Sequence, residues 1–342
     1  VTALVDTIDL LYGPPLDVIS NCLRGCIVAA PEHDLLVADF SAIEARGIAW
    51  LAGEERVLDV FRTGADIYCH AASDVYGRPI SKKKDPDERQ IGKVVVLACG
   101  YQGSVGAFQA MARGYGVKVP DAKVKEIVSA WRAANPAIVS YWYEAEEAAI
   151  SAVTNKGQVF TAGPPGREVK YLVRGSFLFC RLPSGRALSY PYPKLVPYIW
   201  IRRATEDPAG GEPLVEQRRV PDRDLGRWLS RGWKQNGEPQ PALHYKYVDG
   251  LTKAWTEGPT YGGSLVENIT QAVCRDLLAG AIVRLEAGGY PIIMHVHDEV
   301  VSEVPEGYGD LAEFDALVAE APAWAAGFPI TAEGWRGKRY RK

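Results

Sequence analysis

An aspartate closes the apolar run Leu35-Leu36-Val37-Ala38, and helix-forming residues follow at once in Asp39-Phe40-Ser41-Ala42-Ile43-Glu44-Ala45-Arg46. A carboxylate carried where a buried strand stops is exposed on a rigid support, which suits a metal ligand. The competing reading is a helix N-cap, in which the aspartate accepts hydrogen bonds from the first turn. A second acid far along the chain favours the metal reading. In the stretch from Pro291 to Val304, two apolar runs flank His297-Asp298-Glu299, so a hairpin is expected with these three at or near its bend. Two strand ends that each deliver an aspartate can hold two magnesium ions about 3.5–4 Å apart for in-line displacement at phosphorus. Oxygen-only donors suit that metal, and Glu299 stands beside Asp298 as a further oxygen donor.

Between these acids lies a basic element. Asp85 and Pro86 at its start and Gly100 near its end bracket a helix of about four turns. Arg89, Lys93 and Leu97 are spaced four apart and stack on one face of it, with about 6 Å of axial rise between neighbours. A triphosphate fits such a stripe; the alternative is a solvated helix face that happens to carry two cations.

Together the three stretches resemble the polymerase domain of family A DNA polymerases, the group of bacterial DNA polymerase I and its phage relatives. Asp39 to Arg46 (DFSAIEAR) is similar to the family's first motif, Arg89 to Tyr101 (R-x3-K-x7-Y) to its second, and His297-Asp298-Glu299 to its third, in the same order and spacing. Asp66 to Tyr76, Trp131 to Trp142 and Glu267 to Leu278 also look like family segments, so the resemblance covers nearly the whole chain. It implies an α+β architecture, with a palm of antiparallel sheet and helices and a helical fingers region. On that basis residues 1–52 form the first part of the palm, 53–150 the fingers, and 151–342 the rest of the palm with an insertion at about 200–240. The family's thumb and exonuclease lie upstream of this point, so the chain is expected to be a C-terminal palm and fingers fragment.

The resemblance also implies roles. The reaction is template-directed transfer from a dNTP to a primer 3'-hydroxyl. Asp39 and Asp298 would bridge two Mg2+ ions, with the Phe40 carbonyl as a further ligand and Glu299 beside them. Arg89 and Lys93 would grip the β- and γ-phosphates, and Lys93 would protonate the leaving pyrophosphate. Glu44 would crowd the 2' carbon of the sugar. Tyr101 would close over the nascent base pair, Arg186 and Gln271 would touch the primer-template DNA, and His297 would lie near the primer end. Three positions depart from the family pattern: Leu97 stands where many members place an aromatic ring against the nucleotide, Ala42 replaces a common Gln, and Glu267 stands where the bacterial enzymes have Asn. Two other readings compete: a DNA-binding fragment without catalysis, and a metal-dependent hydrolase using His295, His297 and Asp298. The second rests on alternate strand residues facing one side. It lacks further His ligands, because His33, His70 and His244 show no helical i, i+4 pairing.

At 342 residues with 47% hydrophobic and 24% charged residues, the chain can bury a large core. A net charge of -3 excludes a uniformly basic nucleic-acid binder, so DNA contacts must come from local patches at Arg78–Lys93, Arg202–Lys234 and Arg336–Lys342. The six cysteines include no CxxC pair, and Cys22, Cys26 and His33 lack a fourth zinc ligand, so reduced thiols are expected. No apolar run has the length of a membrane span, so an intracellular protein is expected, and the resemblance implies the cytoplasm of a bacterium or a phage-infected host. Gly100-Tyr101-Gln102-Gly103-Ser104-Val105-Gly106 follows a helix rather than a strand, which rules out a dinucleotide loop. The remaining pattern predicts helices over Leu16–Arg24, after Pro136 and over Tyr261–Glu286 with Gln271 on the last. It also predicts a hairpin over Phe177–Tyr190 turning at Pro183-Ser184-Gly185, a long and partly mobile insertion over 205–240, and a final strand near Phe328–Glu333.

Overall fold

The computed structural model describes residues 2–205 and 214–341. Two compact units divide it: one runs to Gly47 and resumes at Val273, and the other is Ile48–Ala272. The first opens with α1 (Thr2–Tyr12) and α2 (Pro15–Leu23). Proline at the first position of α2 loses no intrahelical bond there, and this helix is the one expected over Leu16–Arg24. The pattern had not announced α1, whose Leu4, Leu10 and Leu11 are exposed. Strand β1 (His33–Phe40) follows, with Leu35 through Ala38 fully buried because the strand is covered on both faces. Helix α3 (Ile43–Ala52) starts after a turn at Ser41 and Ala42.

The second unit begins with helices: α4 (Glu55–Arg62), α5 (Ile67–Tyr76), α6 (Pro86–Cys99), α7 (Val105–Gly114), α8 (Asp121–Ala134) and α9 (Pro136–Thr154). Pro136 stops α8 and starts α9, and Trp131 stacks on Trp142 across that break at 6.2 Å. Alanines at 145, 148, 149 and 152 make a small-residue stripe on α9 that is buried, which lets a sheet approach closely.

That sheet is an antiparallel meander of β2 (Val159–Ala162), β3 (Val169–Arg174), β4 (Phe177–Arg181) and β5 (Ala187–Pro191). Alternation buries Val169, Tyr171, Val173, Leu178, Cys180 and Tyr190 on one face. The β4–β5 turn is the expected Pro-Ser-Gly, where Gly185 takes φ 90° and donates its N–H to the Leu182 carbonyl at 2.9 Å.

The expectation of a mobile insertion over 205–240 is corrected by the next elements. Here β6 (Lys194–Thr205), β7 (Leu214–Pro221), α10 (Leu225–Leu229), β8 (Lys234–Val248) and β9 (Trp255–Thr260) form a second four-stranded sheet in the order β7-β6-β8-β9. Only 206–213 of that stretch lie outside the described residues. The reason is a small core of its own, made by Ile199, Ile201, Val220 and Trp233, over which the Arg203 and Arg218 guanidiniums lie at 4.8 and 5.5 Å from the Trp233 ring. The dense charge that reads as loop is the solvent side of strands.

Helix α11 (Gly262–Ala287) carries Gln271 on an exposed position, and the chain ends with β10 (Ile292–Val296), β11 (Glu299–Pro305), α12 (Leu311–Ala319) and β12 (Ala332–Gly337). The last strand therefore starts later than the expected Phe328. Phe328 donates its N–H to the Ala325 carbonyl in a turn, and Pro329 has no N–H to give a ladder. In the first unit these strands and β1 make an antiparallel sheet in the order β10-β11-β1-β12. All six cysteines are free thiols, with Cys99, Cys180 and Cys274 buried. No helix among the described residues is long and apolar enough to cross a membrane.

Candidate active site

The register of the first unit's sheet decides where its acids go. Asp39 sits directly opposite Glu299 of β11 on one side and Glu333 of β12 on the other. Directly opposed residues share a face, so a row of carboxylates crosses three strands at the end of β1. Further down the same face Leu35, Val37, Val301 and Tyr340 form an apolar cluster, which is the rigid support that a strand-end acid needs.

Asp298 reaches the same place through the hairpin turn. The Phe40 N–H donates to the Asp298 carbonyl at 3.2 Å, tying the bend of β10–β11 to the end of β1. His297 makes the bend with φ 55°, and Ala42 makes the β1–α3 turn with φ 49°, so a left-handed residue flanks each aspartate's segment. Neither His nor Ala advertises that conformation in sequence. His297 Nδ1 lies 3.0 Å from Asp298 Oδ1, and its Nε2 lies 3.7 Å from Glu44 Oε1 on the first turn of α3. Arg46, almost fully buried, fastens the turn from behind: its Nε donates to the Ser41 carbonyl at 2.6 Å and its Nη1 to the Pro329 carbonyl at 2.7 Å. Burial lowers the Arg46 guanidinium pKa below its usual value.

Glu299 is not equivalent to Asp298. It is buried, and its Oε1 accepts a hydrogen bond from the Tyr340 hydroxyl. Burial first, and then the Glu299 carboxylate, push that phenol up to about 12. Beneath the acids, the Cys274 thiol donates to the Ile43 carbonyl at 3.6 Å; burial drives it well above the ordinary thiol range, and the charges of Glu44 and Asp298 add to that. It is an inert packing group.

Among the described residues, no group of three or more His, Cys, Asp or Glu side chains converges to hold a metal unaided. This corrects the hydrolase reading: His295 pairs with Val300 and so shares a face with Ala38, opposite to the face of Asp39, while the left-handed His297 breaks the alternation that was to align the two histidines. An open pair of aspartates still fits magnesium, which keeps several waters and is commonly bound by one or two carboxylates plus substrate phosphates.

The second unit holds the basic stripe. On α6, Arg89 Nε donates to Asp66 Oδ2 at 2.7 Å, and Asp66 in turn caps α5 by accepting from the Tyr68 and Cys69 amides at 2.9 and 3.1 Å. Burial would raise the Asp66 carboxyl, but the Arg89 hydrogen bond and those amides outweigh it and hold it below the usual range. The Tyr68 ring lies 5.2 Å from the Arg89 guanidinium and 5.9 Å from the Lys93 ammonium, and the Tyr115 ring lies 4.7 Å from Lys93. Two aromatic faces thus hold Lys93 in place. Sequence reasoning missed Tyr68, Tyr115 and the pairing role of Asp66; the one available signal was the Asp preceding a helix. Leu97 is partly exposed on the same helix.

Tyr101 lies in the turn after α6, and that turn is clamped. Trp142 Nε1 donates to the Gly100 carbonyl at 2.7 Å, Arg132 Nη2 to the Gly103 carbonyl at 3.0 Å, and the Gly263 N–H to Gln102 Oε1 at 2.9 Å. A Cβ on Gly263 would stand 2.3 Å from the Tyr101 carbonyl oxygen, so only glycine permits this approach. Arg186 Nη2 donates to the Ala272 carbonyl at 2.8 Å, which places it beside Gln271 on α11.

The profile of DNA polymerase family A matches residues 16–162. The DNA polymerase of Bacillus phage SP02 is 37% identical over 338 residues, which is 98% of this chain and 46% of that protein. Residues 16–162 thus carry the sequence of DNA polymerase family A, and nearly the whole chain is similar to a phage DNA polymerase. The DNA polymerase of Mycobacterium phage D29 is 29% identical over 119 residues, covering 35% of this chain and 18% of that protein. DNA polymerase I of Lactococcus lactis subsp. lactis is 32% identical over 101 residues, 30% of this chain and 11% of that protein. The chain therefore spans less than half the length of the relatives it matches. Among solved structures, the POL domain of Pol1 from M. smegmatis, in complex with DNA primer-template and dNTP, superposes with a TM-score of 0.50 at 17% identity. That match covers 93% of this chain and 42% of the other, and the mixed helix and sheet architecture is that of a family A polymerase domain. In the family's terms, the strand-end acids and the α6 stripe are the segments that the sequence reading picked out as first, second and third motifs.

Proposed function

We propose that this chain carries the nucleotidyl transfer of its family, extending a primer 3'-hydroxyl on a DNA template from dNTPs. The single observation that carries the proposal is the register that sets Asp39 beside the Asp298 turn, with the Phe40 N–H bonded to the Asp298 carbonyl. In this reading residues 1–52 and 151–342 act as palm and 53–150 as fingers, and primer-template and dNTP are the partners.

Asp39 and Asp298 would hold two magnesium ions, with the Phe40 carbonyl as a further oxygen donor. When bound, such ions lower the pKa of the attacking hydroxyl and neutralise charge on the transferring phosphoryl group. The rest falls to the chain's own residues, because phosphoryl transfer is dominated by positioning and charge. Arg46 fixes the backbone between Asp39 and Glu44, and Tyr340 keeps Glu299 turned into the sheet beside the two aspartates. Arg89, oriented by Asp66, and Lys93, held by Tyr68 and Tyr115, grip the β- and γ-phosphates. Lys93 carries the proton that the pyrophosphate oxygen takes as it leaves. Tyr101 covers the nascent base pair beside Leu97, while Arg186, Gln271 and His297 contact the primer-template.

Primer extension with magnesium on the intact chain tests the proposal directly. Extension that EDTA abolishes is the expected result, and its absence from a folded chain with DNA bound would refute it.

Glu44 gives a narrower prediction. Its carboxylate, on the first turn of α3 and 3.7 Å from His297, would crowd the 2' carbon of the incoming sugar. Glu44→Ala should raise ribonucleotide use relative to deoxynucleotide use by about 10-fold or more, the effect of one steric contact of a few kcal/mol. Unchanged discrimination in single-nucleotide incorporation would return Glu44 to an ordinary acid of a first helical turn.

A further inference from the structure

The outer face of the β2–β5 sheet has no part in the reaction above, yet it is built like a ligand surface. Alternation that buries one face against α9 sends Val159, Leu172, Phe177 and Phe179 to the other, together with Lys170, Arg174 and Arg181. Leu172 stands directly opposite Phe179, Arg174 opposite Phe177, and Lys170 opposite Arg181. Val159 is 56% exposed and Phe177 39%, and the Phe177 and Phe179 rings lie 5.8 Å apart, tilted by 32°. Val159, Lys170, Leu172, Arg174, Phe179 and Arg181 line a shallow concavity of about 690 Å³, and Phe177 stands outside its lining, against Phe179. At its rim Glu168 pairs with Lys170 at 3.6 Å, while Arg174 and Arg181 stay exposed.

We infer that this face binds single-stranded DNA, with bases stacked on Phe177 and Phe179 and phosphates held by Lys170, Arg174 and Arg181. Unpaired bases offer flat apolar rings that stack on exposed aromatics whatever their sequence, and cations beside those aromatics take the backbone. A duplex keeps its bases stacked internally and offers phosphates alone, so the aromatics would find no partner. A second copy of the chain laid on this face would set like cations against each other. The stacking argument stands without the polymerase reading; only the choice of DNA over RNA rests on it, through the template strand that the reaction requires.

Fluorescence anisotropy of the intact chain in EDTA tests this without any catalysis, using labelled oligothymidylate of about 16 nucleotides, oligouridylate of the same length and a blunt duplex. Phe177→Ala is expected to weaken oligothymidylate binding by about five-fold or more while duplex binding stays within about two-fold. Arg174→Ala, an exposed change that leaves the apolar face intact, should weaken it too and lower the slope of log affinity against log salt by about 0.7. Oligothymidylate affinity unchanged in both variants would overturn the inference, as would equal losses on oligothymidylate and duplex. Equal or tighter binding of oligouridylate would overturn the assignment to DNA. Self-association in sedimentation that Phe177→Ala abolishes, with no change on oligothymidylate, would give the face to a second copy instead.

Discussion

Asp298→Asn is expected to cut primer extension by on the order of 10³-fold, and Asp39→Asn to do the same, with the fold left standing. Each substitution removes one charge from an open pair of oxygen donors and barely changes side-chain volume. If the pair holds the metals as proposed, losing one of so few protein ligands would forfeit several kcal/mol of transition-state stabilisation, at about 1.4 kcal/mol per factor of ten. Stability should move the other way for Asp39, because the strand carries it directly between Glu299 and Glu333 and like charges opposed across a ladder repel. Asp39→Asn should therefore unfold at a slightly higher urea concentration than the parent, and Asp298→Asn at about the same one. Extension assays paired with urea melts would read both numbers. Either variant extending primers at a rate near the parent's would remove these acids from the chemistry, and a collapse in stability would make them structural.

That pairing of activity and register shows where sequence reading stops. Leu35 to Phe40 is legible as a strand because four consecutive apolar residues have to be buried on both faces, and the hairpin around His297 to Glu299 because polar residues interrupt two apolar runs. The start of α6 at Pro86, the break at Pro136 and the β4–β5 turn are legible for equally local reasons. Pairing between distant segments is not local, and no pattern within β1 or β12 says that Asp39 will face Glu333. The left-handed conformation at Ala42 is likewise imposed by the bonds that Arg46 and Thr331 make around it, since alanine has no preference for it. The β6–β8 region misleads for the opposite reason: its local composition of Pro, Gly and charge is that of a loop, and the few residues that make it a sheet, Ile199, Ile201, Val220 and Trp233, are spread over three segments. Of the basic stripe, the spacing of Arg89 and Lys93 is visible, while the partners that orient them, Asp66, Tyr68 and Tyr115, come from other elements.

Those partners make Gly92 the position where a single methyl group should do most harm. It lies on α6 between Arg89 and Lys93, and a Cβ there would stand 2.0 Å from the Tyr68 carbonyl oxygen and 3.0 Å from both the nitrogen and the Cβ of Ala72. The nearest of these obstacles is helix backbone, so no rotamer change relieves the clash and α5 must move away from α6. Gly92→Ala is thus expected to destabilise the chain by about 3 kcal/mol, the upper end for overpacking, despite alanine's better helix propensity. Separation of the helices would also lengthen the 2.7 Å Arg89–Asp66 bond and lift Tyr68 from the two cations. In a variant that remains folded, the apparent KM for dNTP should rise more than kcat falls, because the proposed phosphate grip of Arg89 and Lys93 would be loosened while Asp39 and Asp298 belong to a different unit. Gly106→Ala is the control: it too replaces a helical glycine, but nothing lies within 4 Å of its new Cβ, so it should be neutral or stabilising by up to about 1 kcal/mol. Urea midpoints that shift alike for Gly92→Ala and Gly106→Ala would mean that α5 and α6 are not packed as closely as described, and with that the orientation of Arg89 and Lys93 would lose its structural basis.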